Sequence, residues 1–437
     1  MRLRRRFAPG SGGFRVLPCN LISPVPSIHK IHIQAEKKYE PILARLPWHI
    51  PLEEWCSHGI RHLDIKRGIG RHPVAFVQVG TTQLVVKELG YESALREVRN
   101  YRTMLEFGIH TLVPVGCVAR TDGILEVETP VGLQHEKDIV GYSVTLLVDR
   151  VLPDSQLYRR AFAFENRKRI WDSIVDLFVE LHAAGVYWGD ASLANTLVKF
   201  LNVEVPYVGR KTRLRAYLAD AETVEIYPKL SDALRKTDVD FFLESMNWVQ
   251  EDLRASGVLR DPMATEADRE YISAEYERMY EVNKKTGDFE RLTEIKLLKS
   301  LGIVRDPAYL EILQKHIEEH KWYLGEREGS DVPTARAAED WLKSVFVPMC
   351  LLFKEEGVMG MFPHKTASEL YVEIMTNKYY LSRAQGSDVG MVHATRDYVK
   401  RFGRETIAAN VWRRITRRMV EIFGRREQLM LGAMMID

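Results

Sequence analysis

Cysteine is scarce in this chain, and so is any excess of charge of one sign. Cys19, Cys56, Cys117 and Cys350 are the four cysteines among 437 residues. None lies close to another, which excludes a Cys-x-x-Cys redox pair and a zinc site built on paired cysteines. Isolated thiols packed as small apolar groups fit better, and the usage suits a reducing compartment. The 62 basic and 60 acidic side chains leave a net charge of only +2. A nucleic-acid binder concentrates basic charge well beyond this, so no nucleic acid is expected as a partner. No apolar run approaches the ~18 residues needed to cross a bilayer. A chain with no transmembrane segment, in the cytoplasm, is the expectation.

The N-terminus is basic at Arg2, Arg4, Arg5 and Arg6, as the start of a secretory signal would be. The next twenty residues are not signal-like: Ala8–Gly13 is rich in Pro, Gly and Ser, and Pro18, Pro24 and Pro26 interrupt the apolar stretch after it. Residues 1–38 therefore read as a flexible basic tail, with weak attraction to an acidic surface as the alternative. The rest has ordinary globular composition, 46% apolar and 28% charged, and its length suggests two or three domains.

Hydrophobic patterning divides that remainder. Val74–Val79 and Gln83–Lys87 read as strands joined by the hairpin signal Gly80-Thr81-Thr82. A charged helix is predicted over Glu92–Glu106, stopped at Gly108, with further strands at Leu112–Val118, Ile124–Glu128 and Tyr142–Asp149. Beyond Pro153 the period changes: Ile170, Ile174, Leu177, Phe178 and Leu181 share a helical face that Gly185 ends. Strand-like Thr196–Val205 and Thr212–Asp220 come next, and after Pro228 almost everything reads as helix. A strand-rich first third before a helix-rich remainder predicts an α+β fold with segregated lobes. Near the C-terminus, Lys321-Trp322-Tyr323-Leu324 and Gly329-Ser330-Asp331-Val332 recur as Lys378-Tyr379-Tyr380-Leu381 and Gly386-Ser387-Asp388-Val389, at a constant offset of 57 residues that Asp340 and Asp397 also obey. The unit reads as helix, Gly stop, Ser/Asp cap, helix, so a duplicated helical hairpin is predicted. Its aromatic pairs are expected to serve packing rather than to form a ligand box.

Candidate chemistry lies at four stations in chain order. Phosphoryl transfer asks a protein to hold phosphates, neutralise charge through a metal and orient a hydroxyl beside a carboxylate. Gly68-Ile69-Gly70-Arg71-His72-Pro73 precedes the first strand, and Gly68 and Gly70 would let backbone approach phosphates. Pro73 stands where a third glycine is usual, and alone the segment reads better as an ordinary turn. Lys87 ends the apolar strand Leu84-Val85-Val86-Lys87, where an ammonium could meet phosphates; alone it is an exposed strand-end lysine. Glu97, ten residues on, could orient it, although Glu92 and Glu106 share the helix. Asp190 and Asn195 stand five residues apart in Trp188-Gly189-Asp190-Ala191-Ser192-Leu193-Ala194-Asn195, after an amphipathic helix and before a strand. That matches the Asp-x-x-x-x-Asn spacing of a kinase catalytic loop, with Asp190 as the base or orienting carboxylate and Asn195 as a metal ligand. Without that context it is a capped turn. Asp220 in Leu218-Ala219-Asp220-Ala221-Glu222 comes just after a strand and would chelate metal, with Glu222 assisting. An enlarged hairpin through Val205–Lys211 would absorb the long gap from Asn195. No A-P-E segment is present, which argues against a eukaryotic-type protein kinase.

Residues ~40–260 resemble the protein-kinase-like superfamily, in the branch of lipopolysaccharide (Kdo/heptose) kinases and aminoglycoside or choline kinases. Gly189 before Asp190 is as in the small-molecule kinases, whereas Trp188 or Tyr187 occupies their usual His position. Leu46-Pro47-Trp48, Gly68–His72, Trp188-Gly189-Asp190 with Asn195, Asp220-Ala221-Glu222-Thr223 and Lys378–Asp388 resemble an uncharacterised bacterial family known only as a domain of unknown function. The resemblance implies a two-lobed fold with an antiparallel-sheet N-lobe over 39–150, a mainly helical C-lobe over 151–262 and a helical extension with the duplicated hairpin over 263–437. It implies ATP and Mg2+, and no known substrate. The expected function is an ATP-dependent kinase acting on a hydroxyl of a small molecule or glycan, with a protein partner at the C-terminal helices. The rivals are a catalytically silent nucleotide-binding module and a helical scaffold.

Overall fold

The structure is a computed structural model and describes residues 30–65, 72–129, 132–149, 151–153, 164–205, 209–255, 257, 264–296, 304–362 and 365–403. Gly68 and Gly70, Arg2, Arg4, Arg5 and Arg6 of the N-terminal tail and the last 34 residues lie outside that set.

Six strands form one antiparallel sheet: β1 (Lys30–Ala35), β2 (Arg61–His62), β3 (Val74–Val79), β4 (Thr82–Gly90), β5 (Pro114–Thr129) and β6 (Gly132–Leu146), in the order β1-β5-β6-β4-β3-β2. Alternation decides which side chain goes where. Ala75, Val77, Leu84 and Val86 are buried on one face against Trp48 and Trp55, which lie beyond the short helix α1 (Glu40–Leu43). The Trp48 indole donates to the Leu43 carbonyl (2.8 Å), and Arg120 donates to the Trp48 carbonyl (3.1 Å), so Leu46-Pro47-Trp48 is a packing motif under the sheet. Val74, Phe76, Val85 and Lys87 occupy the alternate positions and face a cleft. Helix α2 (Tyr91–Glu106) lies along the sheet and buries Ala94 and Val98 beside Cys117.

Two expectations need correction. Lys30–Ala35 falls within the predicted tail but is an edge strand, registered antiparallel on Gly116–Thr121. Its alternation carries it: Ile33 and Ala35 pack against the Trp48–Trp55 core. The separate strands predicted at 112–118 and 124–128 are one strand from Pro114 onward, with a register shift between Thr121 and Gly123 rather than a break.

The remainder is mainly helical. β7 (Val151–Pro153), β9 (Thr196–Val205) and β10 (Gly209–Leu218) form a small sheet, with β9 and β10 as the enlarged hairpin expected after Asn195, and β8 (Val186–Tyr187) pairs with β11 (Glu225–Ile226). Around them stand α3 (Phe164–Ala183), α4 (Asp232–Ala255), α5 (Glu266–Thr293), α6 (Pro307–Glu328), α7 (Thr334–Trp341), α8 (Val347–Glu355), α9 (Val358–Met361), α10 (Ala367–Gln385) and α11 (Met391–Phe402). The fold is α+β, with an antiparallel sheet first and helices after it, extended by further helices at the C-terminal end. None of the described helices is long and apolar enough to cross a membrane.

One apolar core runs from Ile174 and Phe178 of α3 through Phe242 of α4 and Tyr276 of α5 to Ile317 and Tyr371 of the later helices. The α5 N-terminus is capped reciprocally by Thr265 and Asp268. Asp268 also accepts from Arg167 (3.0 and 2.9 Å) and from the Trp171 indole (2.9 Å). The boundary expected at 262/263 is thus crossed by both core and polar contacts.

The 57-residue repeat has a structural counterpart. Gly329 ends α6 at φ 65° and Gly386 ends α10 at φ 72°, left-handed values that suit glycine. Lys321 pairs with Asp331 (3.4 Å) as Lys378 does with Asp388 (2.9 Å). His320 meets Asp340 (2.7 Å) where Asn377 donates to Asp397 (3.1 Å). The aromatic pairs, however, do not pack inward: Trp322, Tyr323, Tyr379 and Tyr380 are each at least 60% exposed. The buried stripe of α6 is Leu313, Ile317 and Leu324, and at 3.6 residues per turn Trp322 and Tyr323 point away from it.

Candidate active site

Helix α2 and strand β4 bring Lys87 and Glu97 together. Lys87 Nζ donates to Glu97 Oε1 (3.3 Å) and to Asp220 Oδ2 (2.7 Å), the latter just past the end of β10. Glu97 is 1% exposed, accepts also from the Ser143 hydroxyl (2.5 Å) and lies 3.1 Å from the Tyr101 hydroxyl oxygen. Burial pushes the Glu97 carboxyl above its usual range despite Lys87. Burial works against the charge of Lys87, but Glu97 and Asp220 outweigh it and hold its ammonium above the ordinary value. Lys87 is therefore charged. Glu222 lies 4.0 Å from Lys87 and 3.8 Å from His72, so the residue bordering the glycine segment also reaches this cluster. The α2 helix is tied to the Asp220 segment by Tyr101 donating to the Ala219 carbonyl (2.7 Å) and Asn100 donating to those of Ala221 (2.7 Å) and Val224 (3.0 Å).

The loop between β8 and β9 presents Asp190 and Asn195. Asn195 Nδ2 donates to the backbone oxygen of Asp190 (3.1 Å) and to its Oδ2 (3.2 Å), which leaves the amide oxygen for a cation. Gly189 makes the loop's sharp turn at φ 80°, and a Cβ there would stand 3.0 Å from the Thr223 carbonyl oxygen. Trp188, fully buried, donates its indole N–H to the Asp220 carbonyl (3.3 Å). It thereby links the loop to the Asp220 segment.

Sequence reasoning missed Asp238. This fully buried α4 carboxylate accepts from the backbone N–H of Trp188 (2.6 Å) and Gly189 (2.8 Å). It also meets His182 Nε2 (3.2 Å), whose Nδ1 meets the Tyr276 hydroxyl (2.6 Å). Burial lowers the His182 pKa, with Asp238 opposing. The one available signal was an Asp amid the apolar positions of a predicted helix, which patterning alone reads as a surface charge. Asp238→Ala should strand two buried N–H groups and cost roughly 2–5 kcal/mol. The expected result is a clearly lowered thermal midpoint by calorimetry; an unchanged midpoint would contradict this role.

Lys87, Glu97, Asp190, Asn195, Asp220 and Glu222 all border one cleft of about 760 Å³, within the range of small-ligand sites. Above it, Val74, Phe76 and Val85 of the sheet join Leu146, Val148 and Leu197 in an apolar lining that suits a flat ring. Among the described residues no three His, Cys, Asp or Glu side chains group as a metal cage. A magnesium ion would suit this arrangement, since it is commonly held by one or two protein oxygens completed by phosphates and water. Asp220 and the Asn195 amide oxygen are the available donors.

Solved structures with similar architecture are kinases and phosphotransferases. WaaP in complex with acyl carrier protein is 16% identical, covering 58% of this chain and 98% of its own, at a TM-score of 0.32. The Rio2 kinase–ADP/Mg2+-phosphoaspartate complex from Chaetomium thermophilum is 13% identical, covering 59% and 76%, at 0.28. The aminoglycoside-3'-phosphotransferase of type VIII is 14% identical, covering 54% and 97%, at 0.29. This is a likeness of architecture, and at such identities no substrate or residue role passes across with it. A family described as a domain of unknown function (DUF4032) matches residues 337–402. That range takes in the second copy of the repeat but none of the four chemical stations. Among curated proteins, no sequence matches this one.

Proposed function

We propose that the chain is an ATP- and magnesium-dependent kinase that transfers a phosphoryl group to a hydroxyl of a small molecule or glycan. The observation that carries this reading is the charged Lys87, fixed between Glu97 and Asp220 on the cleft that also holds Asp190 and Asn195. In this reading Lys87 binds phosphate oxygens, Glu97 positions Lys87, and Asp220 with Asn195 holds the metal. The segment containing Gly68 and Gly70 would cover the phosphates. Bound Mg-ATP supplies the phosphoryl group and the charge neutralisation. Asp190 accepts or steers the proton of the acceptor hydroxyl as its oxygen attacks phosphorus and ADP departs. The Asn195 amide fixes the direction of that carboxylate. In this reading the chain works in the cytoplasm, and the exposed aromatic pairs of α6 and α10 offer a surface for a protein partner.

Lys87→Met tests the assignment. Without Lys87 the buried Glu97 takes up a proton, so the fold survives, but a charge-assisted phosphate contact is lost. Mg-ATP affinity by calorimetry should fall by about 1.5–3 kcal/mol. Unchanged affinity in a normally folded variant sinks it. If wild type binds Mg-ATP but turns over no acceptor, the silent-module reading replaces that of an enzyme.

A further inference from the structure

The duplicated hairpin is alike inside and unlike outside. Leu313, Ile317 and Ala337 recur at the 57-residue offset as Leu370, Ile374 and Ala394, and all six are fully buried. On the outer face both copies keep two adjacent rings open to water: Trp322 and Tyr323 are 60% and 66% exposed, Tyr379 and Tyr380 60% and 63%. Each pair is held nearly edge to face, with centroids 4.9 Å apart in the first copy and 5.5 Å in the second. Exposed rings grouped in this way are the kind of surface that a protein partner covers.

What differs is the charge that brackets the rings. Glu319 lies three and four residues before the first pair and Glu326 four and three after it, so one carboxylate stands a helical turn to either side of the rings on α6. The matching positions on α10 are Thr376 and Arg383. All four of these side chains are exposed. Over the wider stretch 318–331, Glu318, Glu328 and Asp331 add to Glu319 and Glu326 against Lys321 and Arg327, whereas 375–388 holds Lys378 and Arg383 against Asp388. The lysine–aspartate pairs Lys321–Asp331 and Lys378–Asp388 are common to both copies and cancel. The first patch is thus aromatic and negative, and the second aromatic and positive.

We infer that the protein forms a two-fold dimer in which the α6 patch of each copy seats on the α10 patch of the other. The partner's Arg383 then lies over the Trp322 and Tyr323 rings, whose electron-rich faces attract a guanidinium, with Glu319 and Glu326 to either side of it. A second copy is the occupant because this chain itself carries the complementary charge. Size decides for two contacts rather than one. The four rings of a single contact bury at most about 600–1,000 Å², short of a stable interface, whereas two contacts related by the two-fold axis reach about 1,200–2,000 Å², the ordinary size of one. The inference names the partner of the aromatic surface and rests on nothing in the phosphotransfer reading.

The test is sedimentation velocity on the full chain over a concentration series. Wild type should dimerise, and added salt should weaken the dimer. Arg383→Glu should weaken it by about a hundredfold, because like charges then face each other, and Glu319→Arg with Glu326→Arg in one chain should do the same. Neither variant should dimerise alone, yet an equimolar mixture of the two should, since one then carries two acidic patches and the other two basic ones. Trp322→Ala should weaken the wild-type dimer by about tenfold. The substituted side chains are exposed, so these variants should fold, which circular dichroism checks. A wild type that stays monomeric throughout the series, a dimer unmoved by Arg383→Glu, or a mixture that stays monomeric overturns the inference. Mg-ATP affinity by calorimetry should be the same in all these variants as in wild type, so a failure of the kinase reading and a failure of the dimer show in different measurements.

Discussion

A chain ending at residue 262 should fail to fold cooperatively. Such a cut respects the boundary between kinase-like lobe and helical extension that the sequence suggests, yet it removes α5. Without α5, Arg167 and the Trp171 indole lose Asp268, and His182 and Arg235 lose the Tyr276 hydroxyl (2.6 and 2.7 Å). Each buried polar group left unpaired costs about 1–3 kcal/mol. The apolar face of α3, with Trp171, Ile174 and Phe178, would also be bared to water, at roughly 1.5–3 kcal/mol for each large side chain. Against a typical domain stability of about 5–15 kcal/mol, this sum is decisive. The expected observation is loss of the cooperative thermal transition, with aggregation on size-exclusion chromatography. A monodisperse shortened chain that melts within a few degrees of the full one would show that the extension is an independent domain.

The second large effect is chemical. Asp190→Asn should leave Mg-ATP affinity close to wild type, because in the proposed mechanism Asp190 meets the acceptor rather than the nucleotide, while turnover drops by roughly 10²–10⁴-fold, the scale for a positioned acid–base group. Asp220→Asn should behave in the opposite sense at the binding step and lose magnesium-dependent nucleotide affinity. The paired measurement is calorimetry with and without Mg2+ together with ADP release. Equal loss of nucleotide affinity in both variants would mean that Asp190 is a metal ligand rather than the acceptor's partner. ADP release unchanged in Asp190→Asn would remove it from the chemistry.

The order of the elements was legible because periodicity and glycine stops are local signals. Lys87, Asp190, Asn195 and Asp220 could be picked out because each sits at the end of a strand or in a loop with a fixed neighbour in sequence. Glu97 was harder: its helix carries three acidic candidates, and only burial, 1% exposed beside Lys87, separates it from the others. Asp238 was invisible for a related reason. Its partners, the Trp188 and Gly189 amides, lie about fifty residues away, and no local pattern announces a carboxylate whose purpose is to hold another segment's backbone. Trp322 and Tyr323 misled in the other direction, because aromatic character reads as core until the helix's buried stripe is known.

Trp188 makes the link between the Asp190 loop and the Asp220 segment indifferent to acidity. An imidazole there would change charge between about pH 5 and 8, and its hydrogen bond to the Asp220 carbonyl would depend on which nitrogen carried the proton. Indole offers one permanent donor and has no nitrogen that titrates in that interval. The loop stays fastened to the Asp220 segment wherever the protein is folded, and any acid limb in the proposed activity has to originate at a carboxylate or a histidine elsewhere.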